Sequence, residues 1–135
     1  MIQRIQTLLL IIAVGLNIGF VFTPLQAHAF ADPTEWISSG LIAGLLLSTL
    51  VTIYSIFLYK NRPNQIRWVT RGMIFQIIAI GFAAAIMFTL GGIGNYLWDE
   101  GISLGMIVLA LIAQYISVYY IRRDENLVRS MDRIR

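Results

Sequence analysis

Tyr59-Lys60-Asn61-Arg62-Pro63-Asn64-Gln65-Ile66-Arg67-Trp68-Val69-Thr70-Arg71 lies near the middle of the chain, and its reading decides the fold. It holds four of the ten Lys and Arg residues and no acid, and long apolar runs flank it on both sides. Asn61 or Asn64 can cap a helix, and Pro63 is tolerated only in a first helical turn. The stretch therefore reads as a tight basic turn between two antiparallel helices. Arg67 and Arg71, four residues apart, share one face of the second.

The flanking runs are long enough to cross a bilayer, which takes about 20 apolar residues. Upstream lies 37–59 and downstream 68–90, the latter with its apolar body from Gly72 to Leu90. Two further runs lie outside these, 5–25 and 102–121, and a charged amphipathic tail, 122–135, closes the chain. The fold expected is all-α: an integral membrane four-helix bundle of two helical hairpins, forming a single domain. Composition agrees. Of the 135 residues, 58% are hydrophobic and 13% charged, where a soluble domain carries about 25% charged residues. Mean hydropathy is +0.75.

The first run has a rival reading as a secretory signal peptide. Arg4 makes a short basic start, and Ala27-His28-Ala29 or Ala29-Phe30-Ala31 fits a cleavage site. The run exceeds the usual ~7–15 residue signal core, which favours a retained span. Asp32-Pro33-Thr34-Glu35 then has the pattern of a helix start, with an N-cap, a proline in the first turn and a reciprocal Glu.

Charge orients the bundle. Lys and Arg accumulate in short cytoplasmic loops. All ten basic residues fall in the Arg4 end, the central turn and the tail. The two remaining loops, 26–36 and 91–101, carry only Asp32, Glu35, Asp99 and Glu100. Both termini are therefore expected in the cytoplasm, with Trp36, Tyr96 and Trp98 at the outer interface and Tyr59, Trp68, Tyr119 and Tyr120 at the inner one. The net charge of +3 does not point to nucleic acid, because the basic residues flank apolar runs instead of lining one folded face.

An internal repeat is one further reading. A shift of 66 residues places Ile11, Ile12, Ala13, Gly15, Phe22 and Thr23 on identical residues in the third run. A shift of 65 does the same for Glu35, Ile37, Ser38, Gly40 and Ile42 in the fourth. This implies two parallel hairpins related by an axis along the membrane normal. The alternative is chance within a restricted apolar alphabet.

In lipid, helices associate by close packing and polar contacts. Gly15/Gly19, Gly40/Gly44 and Gly101/Gly105 are Gly-x-x-x-Gly pairs and are the candidate packing residues. Gln76 and Gln114 lie at matched depth, about 10–12 Å inside the basic end, and are expected to meet across the third and fourth spans. The bland reading of these amides is interhelical glue.

Chemistry leaves few marks. There is no cysteine, and the single histidine, His28, cannot form a two-histidine haem site. No ionisable side chain falls within the four runs, where proton-coupled transport usually places one. A metal site of His28, Asp32 and Glu35, or catalysis by Ser38 or Ser39 with His28, has poor support. Asp99 and Glu100 read as a solvated loop feeding a helix start, where negative charge is favoured. No enzyme activity, cofactor or metal is expected. In the tail, Leu127, Met131 and Ile134 form an apolar stripe, and Glu125 and Arg129 make an i,i+4 pair. The tail is either a solvated extension of the last span or an interfacial docking helix. The basic residues Arg4, Lys60, Arg62, Arg67, Arg71, Arg122, Arg123, Arg129 and Arg133 are the candidate contacts to a partner or to anionic lipid.

MIQRIQT at the start, YKNRPNQIR in the turn and IRRDENLVRSMDRIR at the end resemble an uncharacterised four-pass membrane protein family of Bacteroidetes. The resemblance implies a bacterial inner-membrane location and brings no activity with it. The function expected is a non-enzymatic accessory or structural subunit of a membrane protein complex. Its partners would be membrane lipids and another membrane protein or a second copy. The alternative is a small oligomeric transporter.

Overall fold

The computed structural model describes residues 2–31, 35–89 and 98–134, with side chains for 4–27, 36–88 and 98–134. Those residues are helical apart from short turns, and they form α1 (Ile2–Phe20), α2 (Pro24–Ala31), α3 (Glu35–Phe57), α4 (Arg62–Thr89) and α5 (Trp98–Ile134). Three helical stretches are long and apolar enough to cross a membrane: Trp36–Phe57, Arg62–Phe88 and Trp98–Ile134. The apolar stretch of α1, Arg4–Phe20, is shorter. Asp32, Pro33 and Thr34 of the expected capping box, and Tyr96, lie outside the described residues.

The expected first span, 5–25, is corrected to a helix, a break and a second helix. The cause is Pro24. A proline ring clashes with the carbonyl four residues back and offers it no N–H. That carbonyl belongs to Phe20, where α1 ends. Phe20 O accepts instead from Thr23 N at 3.0 Å and from Thr23 Oγ1 at 2.6 Å. Val21 N and Phe22 N donate to Ile18 O and Gly19 O, both at 3.1 Å, in the same tight turn. Pro24 then opens α2, a position that suits it because the first turn needs no N–H there. The segment read as the beginning of an outer loop is thus helical as far as Ala31.

The central turn is shorter than its basic stretch. Leu58 N donates to Ser55 O and Asn61 N to Leu58 O. Asn61 is the N-cap of α4: its Oδ1 accepts from Asn64 N at 3.4 Å, and its carbonyl accepts from Gln65 N at 2.9 Å. Pro63 falls in the first turn. Arg67 and Arg71 therefore sit well inside α4, and Arg71 lies over the Trp68 ring at 4.7 Å.

The four long helices form a ring in which α3 packs on α4, α4 on α5, α5 on α1, and α1 on α3. Antiparallel up-down connections produce this order with or without a repeat. The halves differ in detail: α1 is broken where α4 is continuous, and the counterparts Gly40 and Gly105 have unlike surroundings. α2 lies across one end of the ring, touching α3, α4 and α5. Its Leu25 joins Phe20, Ile37, Leu41, Ala83 and Ile107 in the largest apolar cluster. Elsewhere the aliphatic surface faces outward, as Leu8, Leu50, Ile77 and Leu109 do. That is the arrangement expected where the solvent is lipid.

The glycine pairs divide. A Cβ built on Gly40 falls 2.5–2.8 Å from the Phe82 ring, and one on Gly44 falls 3.2–3.3 Å from Ala79 Cβ, Cα and N. These two glycines are where α3 and α4 approach. A Cβ built on Gly19 falls 3.0 Å from Met106 Cε, the end of a flexible side chain. At Gly15, Gly101 and Gly105 an added Cβ meets nothing within 4 Å, so these three take no part in close packing among the described residues.

Candidate functional site

Two features concentrate polar chemistry: a buried amide and hydroxyl network in the core, and a basic cleft where the turn meets the tail.

The network begins with Ser48, Thr52 and Ser55, which recur along α3 at helical spacing and are fully buried. Gln76 of α4 uses every hydrogen-bonding position it has. Its Oε1 accepts from Asn17 Nδ2 at 2.9 Å and from Ser48 Oγ at 2.7 Å. Its Nε2 donates to Asn17 Oδ1 at 2.9 Å and to Ile107 O at 3.0 Å. One side chain thus ties α1, α3, α4 and α5. Asn17 also donates to Thr49 Oγ1 at 3.3 Å. Gln114 of α5 donates to Thr52 Oγ1 at 2.9 Å and to Ser48 Oγ at 3.3 Å. Thr52 passes its own hydrogen to Ser48 O at 2.7 Å. Gln114 Oε1 is buried with no hydrogen-bond partner. Both diagonals of the ring, α1 to α4 and α3 to α5, are therefore closed by amides.

Gln76 and Gln114 are joined through Ser48, which donates to the first and accepts from the second. The reading of the sequence missed the hydroxyl intermediary, although the spacing of Ser48, Thr52 and Ser55 on an apolar helix was a visible signal. It also missed the buried amides Gln6, Gln26 and Gln65.

At the basic end, α5 passes the turn. Arg62 Nη2 lies 3.1 Å from Asp124 Oδ2, and Arg129 Nη2 lies 2.9 Å from Glu125 Oε1. A cleft of about 620 Å³ opens between them, lined by Lys60, Arg62, Glu125 and Arg129 among others, with Tyr59 on its wall. Tyr59 also lines a neighbouring cleft of about 330 Å³ beside Arg4, Leu8 and Ile11. The Arg4 end, the turn and the tail thus meet around Tyr59. Arg67, Arg71, Arg122, Arg123 and Arg133 are exposed and line neither cleft.

The tail is helical and continuous with α5 as far as Ile134. Glu100, expected in a solvated pair, is buried in the first turn of α5, while Asp99 is exposed. Ser103 Oγ donates to Asp99 O at 2.7 Å. The side chains of His28, Asp32 and Glu35 lie outside the described residues, among which no group of three or more His, Cys, Asp or Glu could hold a metal.

No curated protein and no solved structure matches the chain at a significant level. The model of one family, Domain of unknown function (DUF4293), matches residues 2–134. With nearly the whole chain covered, including the break, the turn and the tail, this protein belongs to the DUF4293 family.

Proposed function

We propose that this chain is a four-pass integral protein of the bacterial inner membrane, with both termini cytoplasmic, serving as a non-enzymatic accessory subunit of a membrane protein complex. The observation that carries the reading is the length of α5. Its 37 residues span about 55 Å, against a hydrocarbon core of about 30 Å. The helix therefore projects several turns beyond the bilayer. That projection exposes Leu127, Met131 and Ile134 along one side, with Arg122, Arg123 and Arg133 exposed beside them. An apolar stripe flanked by arginines fits an apolar and acidic segment of a neighbouring membrane protein. The Arg62–Asp124 pair braces the projection against the turn. Such a partly exposed pair, with side chains 23% and 16% accessible, contributes only about 0–1 kcal/mol, so it orients the strut more than it stabilises the fold.

The core favours a subunit over a transporter. Gln76 is saturated by its neighbours, and the network binds the helices to one another, with the unpartnered Gln114 Oε1 buried inside it.

Two experiments test the proposal. Single cysteines at Thr34 and Asn95 should react with an impermeant reagent outside intact cells, and one at Asn61 should not. Labelling at Asn61 would overturn the orientation. For the docking surface, Leu127→Glu with Met131→Glu should leave insertion intact and remove proteins that co-purify with the native chain. Arg129→Gln with Arg133→Gln should weaken the same association. If both variants retain every native partner, the subunit reading fails.

A further inference from the structure

The two clefts at the basic end share Tyr59 and differ in character. The larger, about 620 Å³, lies between the turn and α5 and is lined by charged side chains, Lys60 among them. The smaller, about 330 Å³, runs along α1, with Arg4, Leu8 and Ile11 in its lining. Arg4, Leu8 and Ile11 stand four and three residues apart, so they share one helix face, and all three are exposed. The same face continues through Gly15 and Ile18, also exposed, and a Cβ added to Gly15 meets nothing within 4 Å. From Arg4 to Ile11 the helix rises about 10 Å, which carries this face from the basic end into the apolar part of α1.

The cations of the two clefts are not equivalent. Arg62 is paired with Asp124 and Arg129 with Glu125. Arg4 and Lys60 make no ion pair among the described residues. Lys60 Nζ lies 5.9 Å from the centre of the Tyr59 ring. The uncompensated positive charge of the basic end thus includes one cation in each cleft, with Tyr59 lining both. Beside it the surface turns aliphatic within about one helical turn, at Leu8 and Ile11, which are 57% and 53% exposed.

We infer that this surface binds one anionic glycerophospholipid, its phosphate between Arg4 and Lys60 beside Tyr59, an acyl chain along Leu8 and Ile11, and the rest of its headgroup in the larger cleft. Guanidinium and ammonium groups without an acid partner are strong donors to a phosphate. A zwitterionic headgroup brings its own ammonium into a cleft whose unpaired charge is positive, and is disfavoured. A free phosphate satisfies the cations and makes no use of the aliphatic face below them. The order of chemistry along α1, cation then aliphatic side chains, matches the order along a phospholipid from headgroup to chain. The inference rests on the reading of the chain as a membrane-spanning protein, and on neither its orientation nor its role as a subunit. It uses a surface separate from the tail stripe of Leu127, Met131 and Ile134.

The test titrates the full chain in a neutral detergent with phosphatidylglycerol or with phosphatidylcholine of identical chains, and native mass spectrometry counts the lipids bound. The first phosphatidylglycerol should bind about thirtyfold more tightly than phosphatidylcholine, two cations each contributing about a factor of five. Arg4→Gln with Lys60→Gln should bring the two lipids level. Arg67→Gln with Arg71→Gln removes the same charge from exposed residues that line neither cleft, and should leave the preference intact. Leu8→Trp, on the exposed surface, should obstruct the path of the chain and weaken phosphatidylglycerol about tenfold with no change of charge. Glycerophosphoglycerol, the same headgroup without chains, should not compete. Equal binding of the two lipids by the native chain, an equal loss in the Arg67 and Arg71 variant, unchanged binding by Leu8→Trp, or full competition by the chainless headgroup would each overturn the inference. Flotation of the native chain with phosphatidylcholine liposomes tests the membrane reading by itself, so the two failures are told apart.

Discussion

Gln76→Met is expected to destabilise the bundle by about 2–4 kcal/mol, while Gln114→Met costs less than about 1 kcal/mol. The two residues are the same amide, are both fully buried, and change to the same unbranched side chain. What differs is what each leaves behind. Without Gln76, Asn17 Oδ1 loses its donor and the Ser48 hydroxyl loses its acceptor. Each orphaned group costs about 1–3 kcal/mol when no water can replace the partner. Without Gln114, Ser48 and Thr52 lose only a hydrogen that they accept, and their own hydrogens remain bonded to Gln76 Oε1 and Ser48 O. The substitution also removes the unpartnered Gln114 Oε1. The average interhelical hydrogen bond in a membrane is worth only about 0.6 kcal/mol, so counting bonds would predict small and similar losses. Equilibrium unfolding in mixed lipid and detergent micelles separates the two views. Equal costs, or a larger cost at Gln114, would show that Gln76 does not organise the core.

The second large effect is expected at the α3–α4 approach. Gly44→Leu should cost about 3 kcal/mol, at the upper end of what overpacking produces. Even its first carbon lies 3.2–3.3 Å from Ala79, and two of the three atoms met are backbone, which cannot rotate aside. The helices must separate, and the displaced contacts are the dispersion contacts that hold helices together in lipid. At Gly40 the obstacle is the Phe82 ring, held edge-on by Trp36 with centroids 6.2 Å apart. Gly15→Leu should be neutral or stabilising by up to about 1 kcal/mol, because the site is open and leucine is the better helix former. Thermal unfolding of the two variants in one detergent measures the difference. A loss at Gly15 matching that at Gly44 would refute the assignment of the contact face.

The apolar runs were legible in the sequence for a simple reason. Lipid requires a long apolar stretch, and a helix satisfies its backbone within that stretch, so no distant partner is needed to define it. The cap of α4 was legible on the same ground, since Asn61, Pro63 and Asn64 act within one turn. Pro24 was visible too, and its clash with the carbonyl of Phe20 is a local effect. That α2 then folds across the bundle was not visible, because it depends on the partners Leu25 finds in α3, α4 and α5. The burial of Gln26 follows from that placement, and nothing within a few residues of it announces a buried amide. The glycines show the limit most clearly. Gly15/Gly19, Gly40/Gly44 and Gly101/Gly105 have identical spacing, yet only the middle pair brings two backbones together. A span apolar on every side has no amphipathic stripe to fix its rotation about its own axis. Which side turns inward is settled only when four helices pack at once, here around Gln76.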